Sequence, residues 1–198
     1  MDAIETYRGF PTVTAGSRAS WRKWLVANHD KVSSIWLIIY KKDSGIGSVT
    51  YNEAVDEGLC FGWIDSKPNK RDDKSYYQFF SKRSPKSNWS KVNKLKVEHL
   101  IQENLMTEAG YQMISIAREN GTWDALNDVD NLILPDDLRS RFDRNPTAFK
   151  HWKNFPDSVK RGILEWIFNA KREETRLKRI TQTVDLAQQN IRANQYHG

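Results

Sequence analysis

One run of six residues constrains the chain more than any other. Ile35-Trp36-Leu37-Ile38-Ile39-Tyr40 is apolar throughout, rich in β-branched side chains, and followed at once by Lys41-Lys42-Asp43-Ser44-Gly45. With no polar position in it, neither face can meet water, so the run predicts a strand covered on both sides and central in its sheet, ending in a turn. It is also the longest apolar run, far short of the roughly 18 residues of a membrane span, and no membrane insertion is expected. Two further strands are expected: Trp63-Ile64-Asp65 after Gly62, and Tyr76-Tyr77-Gln78-Phe79-Phe80-Ser81 with aromatics on both faces. Between them Lys67 to Lys74, dense in charged and amide groups around Pro68, reads as an exposed loop.

Helical signals occupy the rest. Ser17 or Ser20 can cap a helix carrying Trp21, Trp24, Leu25 and Asn28 and ending near His29. Thr50 and Glu53 form a capping box at the head of a helix with Ala54, Val55 and Leu59. From Ser90 onward Val92, Leu95 and His99 make one stripe. Thr107 can cap a helix with Met113, Ile116 and Ala117, which stops at Asn120-Gly121. Residues 122–134 read as an acidic connector around Trp123 and Leu126, with Asp124, Asp128 and Asp130. Pro135 and Pro146 are placed as first-turn prolines, the second behind Asn145 as N-cap, heading short helices over 136–143 and 146–154. The stretch from Asp157 to Ile191 is one long helix or two. The expected class is α+β: a small, mostly antiparallel sheet with flanking helices in residues 1–121, and an all-helical C-terminal subdomain in 134–198, the two packed as one globule.

The net charge of +6 is unevenly placed, with basic blocks at residues 61–100 and 149–198 around an acidic block at 101–148. Either the blocks attract one another, or the two basic ones converge on an anionic partner. The first block interleaves Lys67, Lys70, Arg71, Lys74, Lys82, Arg83 and Lys86 with Tyr76, Tyr77, Phe79, Phe80 and Trp89. That is the composition of a surface for phosphates and planar groups, and equally of a core with a solvated rim. Within it, Pro85 forces a turn, and Ser87, Asn88 and Ser90 can each cap a helix whose positive end and free N–H groups would face an anion, with Arg83 and Lys86 adding full charges. In the second block Arg172, Arg176 and Arg179 fall on one helical face beside Thr175, a carboxylate or phosphate clamp or a solvated face. Asp65 or the acidic connector is the internal candidate for its anion.

Enzymatic signatures are few. His29, His99, His151 and His197 lack metal-ligand spacing, so no metal site is expected, and no phosphate-binding glycine loop or nucleophile elbow is present. No cofactor is expected. The single Cys60, flanked by Leu59 and Phe61, has no disulfide partner and fits a reducing, cytoplasmic setting. Asp65, at a strand end, is the carboxylate placed to meet an Arg or to serve as a catalytic group.

Five segments carry a family resemblance: Leu59-Cys60-Phe61-Gly62-Trp63-Ile64-Asp65-Ser66, Gln78-Phe79-Phe80 to Arg83, Ser87-Asn88-Trp89-Ser90-Lys91-Val92-Asn93, Met106-Thr107-Glu108-Ala109-Gly110, and Ala170-Lys171-Arg172-Glu173-Glu174-Thr175-Arg176 to Arg179-Ile180. Together they resemble the YdeI/OmpD-associated, or bacteriocin-protection, family, and the likeness runs from about Trp21 to Ile191. Ser81-Lys82 departs from it, since many relatives carry Thr-Pro before the Arg. The resemblance implies a bacterial cytoplasmic protein with an α+β front part and a helical tail, and a role in protection against bacteriocins or cationic peptides with association to an outer-membrane porin.

Three functional expectations follow. The first is a non-enzymatic binding module for an anionic small molecule or nucleic acid, with Asp65, Arg83, Ser87, Trp89, Ser90, Asn93, Arg176 and Arg179 as ligand-binding residues. The second is a protection protein acting through a protein partner, with an exposed aromatic patch at Tyr76, Trp89 or Trp123. The third is an enzyme using Asp65 with Arg83 or Arg176.

Overall fold

The computed structural model describes residues 5–195. They fall into two compact units, Met1–Asp124 and Ala125–Gly198, each with its own apolar core.

The first unit is built on a five-stranded sheet. Its strands are β1 (Thr6–Tyr7), β2 (Phe10–Thr14), β3 (Ser34–Tyr40), β4 (Trp63–Lys70) and β5 (Ser75–Lys82), in the order β1-β2-β3-β5-β4. β3 is the apolar run and the middle strand, with Ile35 to Ile39 all at most 3% exposed. β5 pairs antiparallel with both β3 and β4. β2 pairs parallel with β3, which requires the chain to cross over between them, and α1 (Arg18–Asn28) makes the crossover. The sequence announces neither β1 nor β2, because Phe10-Pro11-Thr12-Val13-Thr14 has a proline and no second apolar face.

Four helices cover one face of the sheet: α1, α2 (Tyr51–Cys60), α3 (Lys91–Gln102) and α4 (Glu108–Glu119). Ser17 is the N-cap of α1 and shares a capping box with Ser20. Thr50 and Glu53 make the expected box on α2. Trp21 and Trp63 are fully buried, and both indole N–H groups donate to backbone oxygens, of Ala54 and His29 respectively. Glu57, buried among these helices, accepts from both Arg18 and Arg22 at 2.7 Å.

Three local readings of the first unit are corrected. Lys67–Lys70 belongs to strand β4 and only Arg71–Lys74 turns. An edge strand pairs on one side only and so tolerates polar residues that would exclude it from the centre. The register moves from Asp65↔Phe80 to Pro68↔Gln78, so Ser66 and Lys67 together oppose Phe79 in a β-bulge. Gln78, 2% exposed, donates to Ser66 O at 2.6 Å, which satisfies the carbonyl the bulge displaces. The stripe Val92-Leu95-His99 is the outer face of α3, with Val92 62% and Leu95 55% exposed, while Val97 and Leu100 enter the core. Both rows have helical spacing, and only packing chooses between them. Thr107 heads α4, but its hydroxyl donates to Cys60 O at 2.7 Å rather than capping the helix.

The second unit is helical: α5 (Asn127–Asp130), α6 (Asp136–Asp143), α7 (Pro146–Asn154), α8 (Asp157–Phe168) and α9 (Glu173–Gln188). Leu138, Phe142, Ala148, Trp152, Ile163, Leu164 and Ile180 fill its core. Pro146 occupies the first turn of α7 behind Asn145, whose side chain accepts from Ala148 N. Pro135 is the N-cap residue of α6 instead of its first helical residue. The stretch from Asp157 resolves into two helices, and part of the acidic connector, with Leu126 and Val129 buried, belongs to this core.

Candidate functional site

Two glycines shape a cleft of the first unit. At Gly62 the backbone turns from α2 into β4 with φ +71°, a conformation L-residues avoid. A Cβ there would lie 2.9 Å from Ala109 O; one on Gly110 would lie 2.4 Å from Cys60 O. The start of α4 therefore rests directly on the Cys60–Gly62 backbone, and Thr107 clamps it by donating from both N and Oγ1 to Cys60 O. Beside this junction opens a cleft of about 300 Å³, lined by Phe61, Trp63, Met113, Gln112, His29, Asp30, Lys82 and Arg83.

Arg83 is the unusual wall residue. It follows β5, its N–H donates to Gly62 O, and it is only 4% exposed. One terminal nitrogen donates to Asn88 O at 2.5 Å, and the guanidinium carbon lies 3.7 Å from the Trp89 ring centroid. Nε and Nη1 are buried with no hydrogen-bond partner. Among the described residues no carboxylate reaches ion-pair distance of Arg83. Burial pushes its pKa down to about 10, and the negative charge of Asp65 works in the opposite direction.

The other expected site residues separate into groups. Trp89, 2% exposed, stacks behind Arg83 and against Trp123, so it anchors the wall and offers no exposed aromatic patch. Ser90 is the N-cap of α3 and its hydroxyl accepts from the Asn93 backbone N at 3.3 Å, so the Ser90 side chain serves the helix start. Ser87 closes the preceding turn by donating from N and Oγ to Ser84 O. Asp65 is half-buried and accepts from Tyr51 Oη at 2.8 Å, without an ion pair to Arg83; burial first, then this bond, raises the Tyr51 pKa.

Arg176 and Arg179 belong to the second unit and are engaged within it. Arg176 grips Asp137 with two bonds, of 2.6 and 2.9 Å. Arg179 donates to Trp166 O and lies 5.0 Å from its ring centroid. The internal anion of the arginine row is thus Asp137, rather than Asp65 or the connector. Arg172 is the N-cap residue of α9 and leaves the row.

His29, Lys82, Gln112 and Met113 were not legible as wall residues. His29 Nδ1 lies 2.9 Å from Leu25 O and Lys82 Nζ donates to Asp30 O. The one available signal was Met106-Thr107-Glu108-Ala109-Gly110, whose glycine permits the helix to approach.

No described helix is long and apolar enough to cross a membrane, and no described group of His, Cys, Asp or Glu could hold a metal ion. A family model described as Bacteriocin-protection, YdeI or OmpD-Associated matches residues 131–190. A second, described as a domain of unknown function (DUF8412), matches residues 13–113. The first model lies within the helical unit, and the cleft residues fall inside the second. No curated protein and no solved structure matches the chain.

Proposed function

From a chain that belongs to the bacteriocin-protection, YdeI or OmpD-associated family over residues 131–190, and to the DUF8412 family over residues 13–113, we propose a non-enzymatic binding module whose front unit takes an anion. The observation that carries this reading is Arg83: a nearly inaccessible guanidinium at a cleft wall, with two nitrogens unpartnered and no carboxylate in ion-pair range. An unpaired buried charge costs several kcal/mol, on the order of the net stability of many small domains. A phosphate or carboxylate entering beside Lys82 and Gln112 offsets that cost, with Trp89 holding the guanidinium plane from behind. Phe61 and Met113 give the ligand an apolar wall.

The test is thermal denaturation at low salt with orthophosphate, sulfate, acetate and nucleoside monophosphates. Ligand at ten times its Kd stabilises by about 1.4 kcal/mol, so a binding anion shifts the midpoint measurably. Lys82→Gln and Gln112→Ala, both at the cleft rim, should reduce the shift without unfolding the protein. If no anion in the panel moves the midpoint, the reading fails.

A protein partner is the second reading, and the exposed apolar stripe of Val92 and Leu95, beside Lys91 in the first turn of α3, favours it. It predicts a partner segment with acidic and apolar residues, whose binding Val92→Ser with Leu95→Ser removes.

A further inference from the structure

The other face of the sheet holds a second, smaller cluster: Trp36, Ile38 and Tyr77, with Tyr7, Tyr40 and Phe79 packed on it. None of the helices α1–α4 contributes to it. Among the described residues of the first unit, the two-residue strand β1 and the turn after it lie over it. Tyr7 lies flat on Tyr77, centroids 4.0 Å apart and planes 11° apart, and meets Trp36 edge-on at 5.2 Å.

Two buried nitrogens on this face have no hydrogen-bond partner: Trp36 Nε1 and Asn69 Nδ2. Trp36 is itself only 3% exposed. The placement of Asn69 follows from the bulge. In an unbroken strand it would share the helix-covered face with Asp65, but the extra residue reverses the alternation and sets Asn69 opposite Tyr77. Since Ile38 also lies opposite Tyr77, the Tyr77 ring stands between the strand that carries Trp36 and the strand that carries Asn69. Buried donors are nearly always paired, and two orphans beside one stacked ring mark a place where acceptor atoms are missing.

The cover is lightly held. Arg8 and Gly9 both take positive φ, 50° and 80°, as a two-residue hairpin of this kind requires, and the first is a residue type that avoids it. Beyond backbone pairing with β2, the Thr12 hydroxyl donates to Glu5 O at 3.0 Å, and the Glu5 side chain adds a 3.4 Å bond from Tyr77 Oη and a 3.9 Å ion pair with Arg71. The Arg8 and Arg71 guanidinium groups lie 5.4 and 5.9 Å from the Tyr7 and Tyr77 centroids, so cations rim the stack.

We propose that Tyr7 is a displaceable strap over a stacking site on Tyr77, and that the site takes a planar nitrogen heterocycle, a nucleobase, whose ring nitrogens or carbonyl oxygens accept from Trp36 Nε1 and Asn69 Nδ2. The base replaces Tyr7 on the Tyr77 ring and supplies the two acceptors that the tyrosine lacks. This site is separate from the Arg83 cleft, and an uncharged nucleoside distinguishes the two.

The experiment titrates the full chain with adenosine, AMP and orthophosphate while the indole N–H resonances are followed by NMR, the Trp36 signal being assigned by its loss in Trp36→Phe. Adenosine is expected to shift the Trp36 signal downfield. Tyr7→Ala should bind it about fivefold more tightly, because the competing ring is gone. Gly9→Ala, whose added Cβ meets nothing but whose φ of +80° is strained, should tighten binding in the same direction without touching the site. Tyr77→Ala should weaken binding about tenfold, and Asn69→Ala about threefold. No Trp36 response to adenosine in either the parent or Gly9→Ala overturns the proposal, as does undiminished affinity in Tyr77→Ala. Orthophosphate binding without adenosine binding leaves the anion cleft standing and removes this site; adenosine binding with no response to any anion of the panel removes only the cleft.

Discussion

The Arg83 guanidinium carbon lies over the Trp89 ring, 3.7 Å from its centroid, with the Asn88 carbonyl between them in sequence closing the contact. The pair brings a cation and its aromatic support to one side of a cleft. It also sets opposing energies against each other. The drop of the Arg83 pKa to about 10 means that the charged form is disfavoured on folding. Because the folded value is below the unfolded one, the penalty is present at every pH below about 10 and relieved only as the pH climbs past it. It is worth about 3 kcal/mol.

Replacing Arg83 with Met removes that penalty together with the stacking and the bond to Asn88, which are worth about 2 and 1 kcal/mol. The expected net change in unfolding free energy at neutral pH is within about 1 kcal/mol, measured by urea titration, with anion stabilisation abolished. A loss well beyond 3 kcal/mol would assign the side chain a purely structural role.

The glycines give a prediction with opposite signs. Gly110→Ala places a methyl 2.4 Å from the Cys60 carbonyl, a backbone atom that cannot swing away. We expect a cost of about 3 kcal/mol as α4 is forced off the turn. Gly162, inside α8, has nothing within 4 Å of its would-be Cβ, so Gly162→Ala should stabilise by about 0.5–1 kcal/mol. Thermal melts of the two variants should move in opposite directions from the parent.

The Arg176 side chain holds the Asp137 carboxyl below its ordinary range, chiefly through their hydrogen bonds. The stability this adds is complete above the usual carboxylate pKa and lost as the pH falls through the lowered folded value. Arg176→Gln should therefore cost about 1 kcal/mol at neutral pH. Denaturation midpoints of the variant and the parent should converge in acid.

Burial pushes the Cys60 thiol up to about 11, with the charge of Glu57 adding to the effect. A thiol reagent at pH 8 should label the native protein only at the rate at which the first unit opens, and instantly in denaturant. Rapid labelling of native protein would show that the α2–α4 junction is looser than its glycine contacts indicate.

The apolar centre of the fold was legible because β3 admits no other assignment, and the capping box at Thr50 because its two side chains satisfy each other locally. The edge was not. Lys67 to Lys70 look like a loop since an edge strand owes its identity to its neighbour, and the bulge that seats Asn69 is a register event no local pattern records. Likewise Val92-Leu95-His99 and Val97-Leu100 are equally helical rows, and their fates differ only because one meets α2. Of the site, Arg83 and Trp89 were found from charge and aromatic interleaving. His29, Lys82, Gln112 and Met113 join them only through the close approach of α4 to Gly62. Of the arginines of α9, Arg176 finds Asp137 and Arg179 the Trp166 carbonyl, partners on other helices that no local pattern names.

The kink between Asp65 and Pro68 reaches further than the residues it repositions. A final strand with an imino acid, a local twist and lysines at 67 and 70 offers no straight row of amides to a newcomer. Straightening it, by deleting Lys67 and replacing Pro68 with Val, would invite molecules to add to one another strand by strand, turning a discrete sheet into the seed of a fibre.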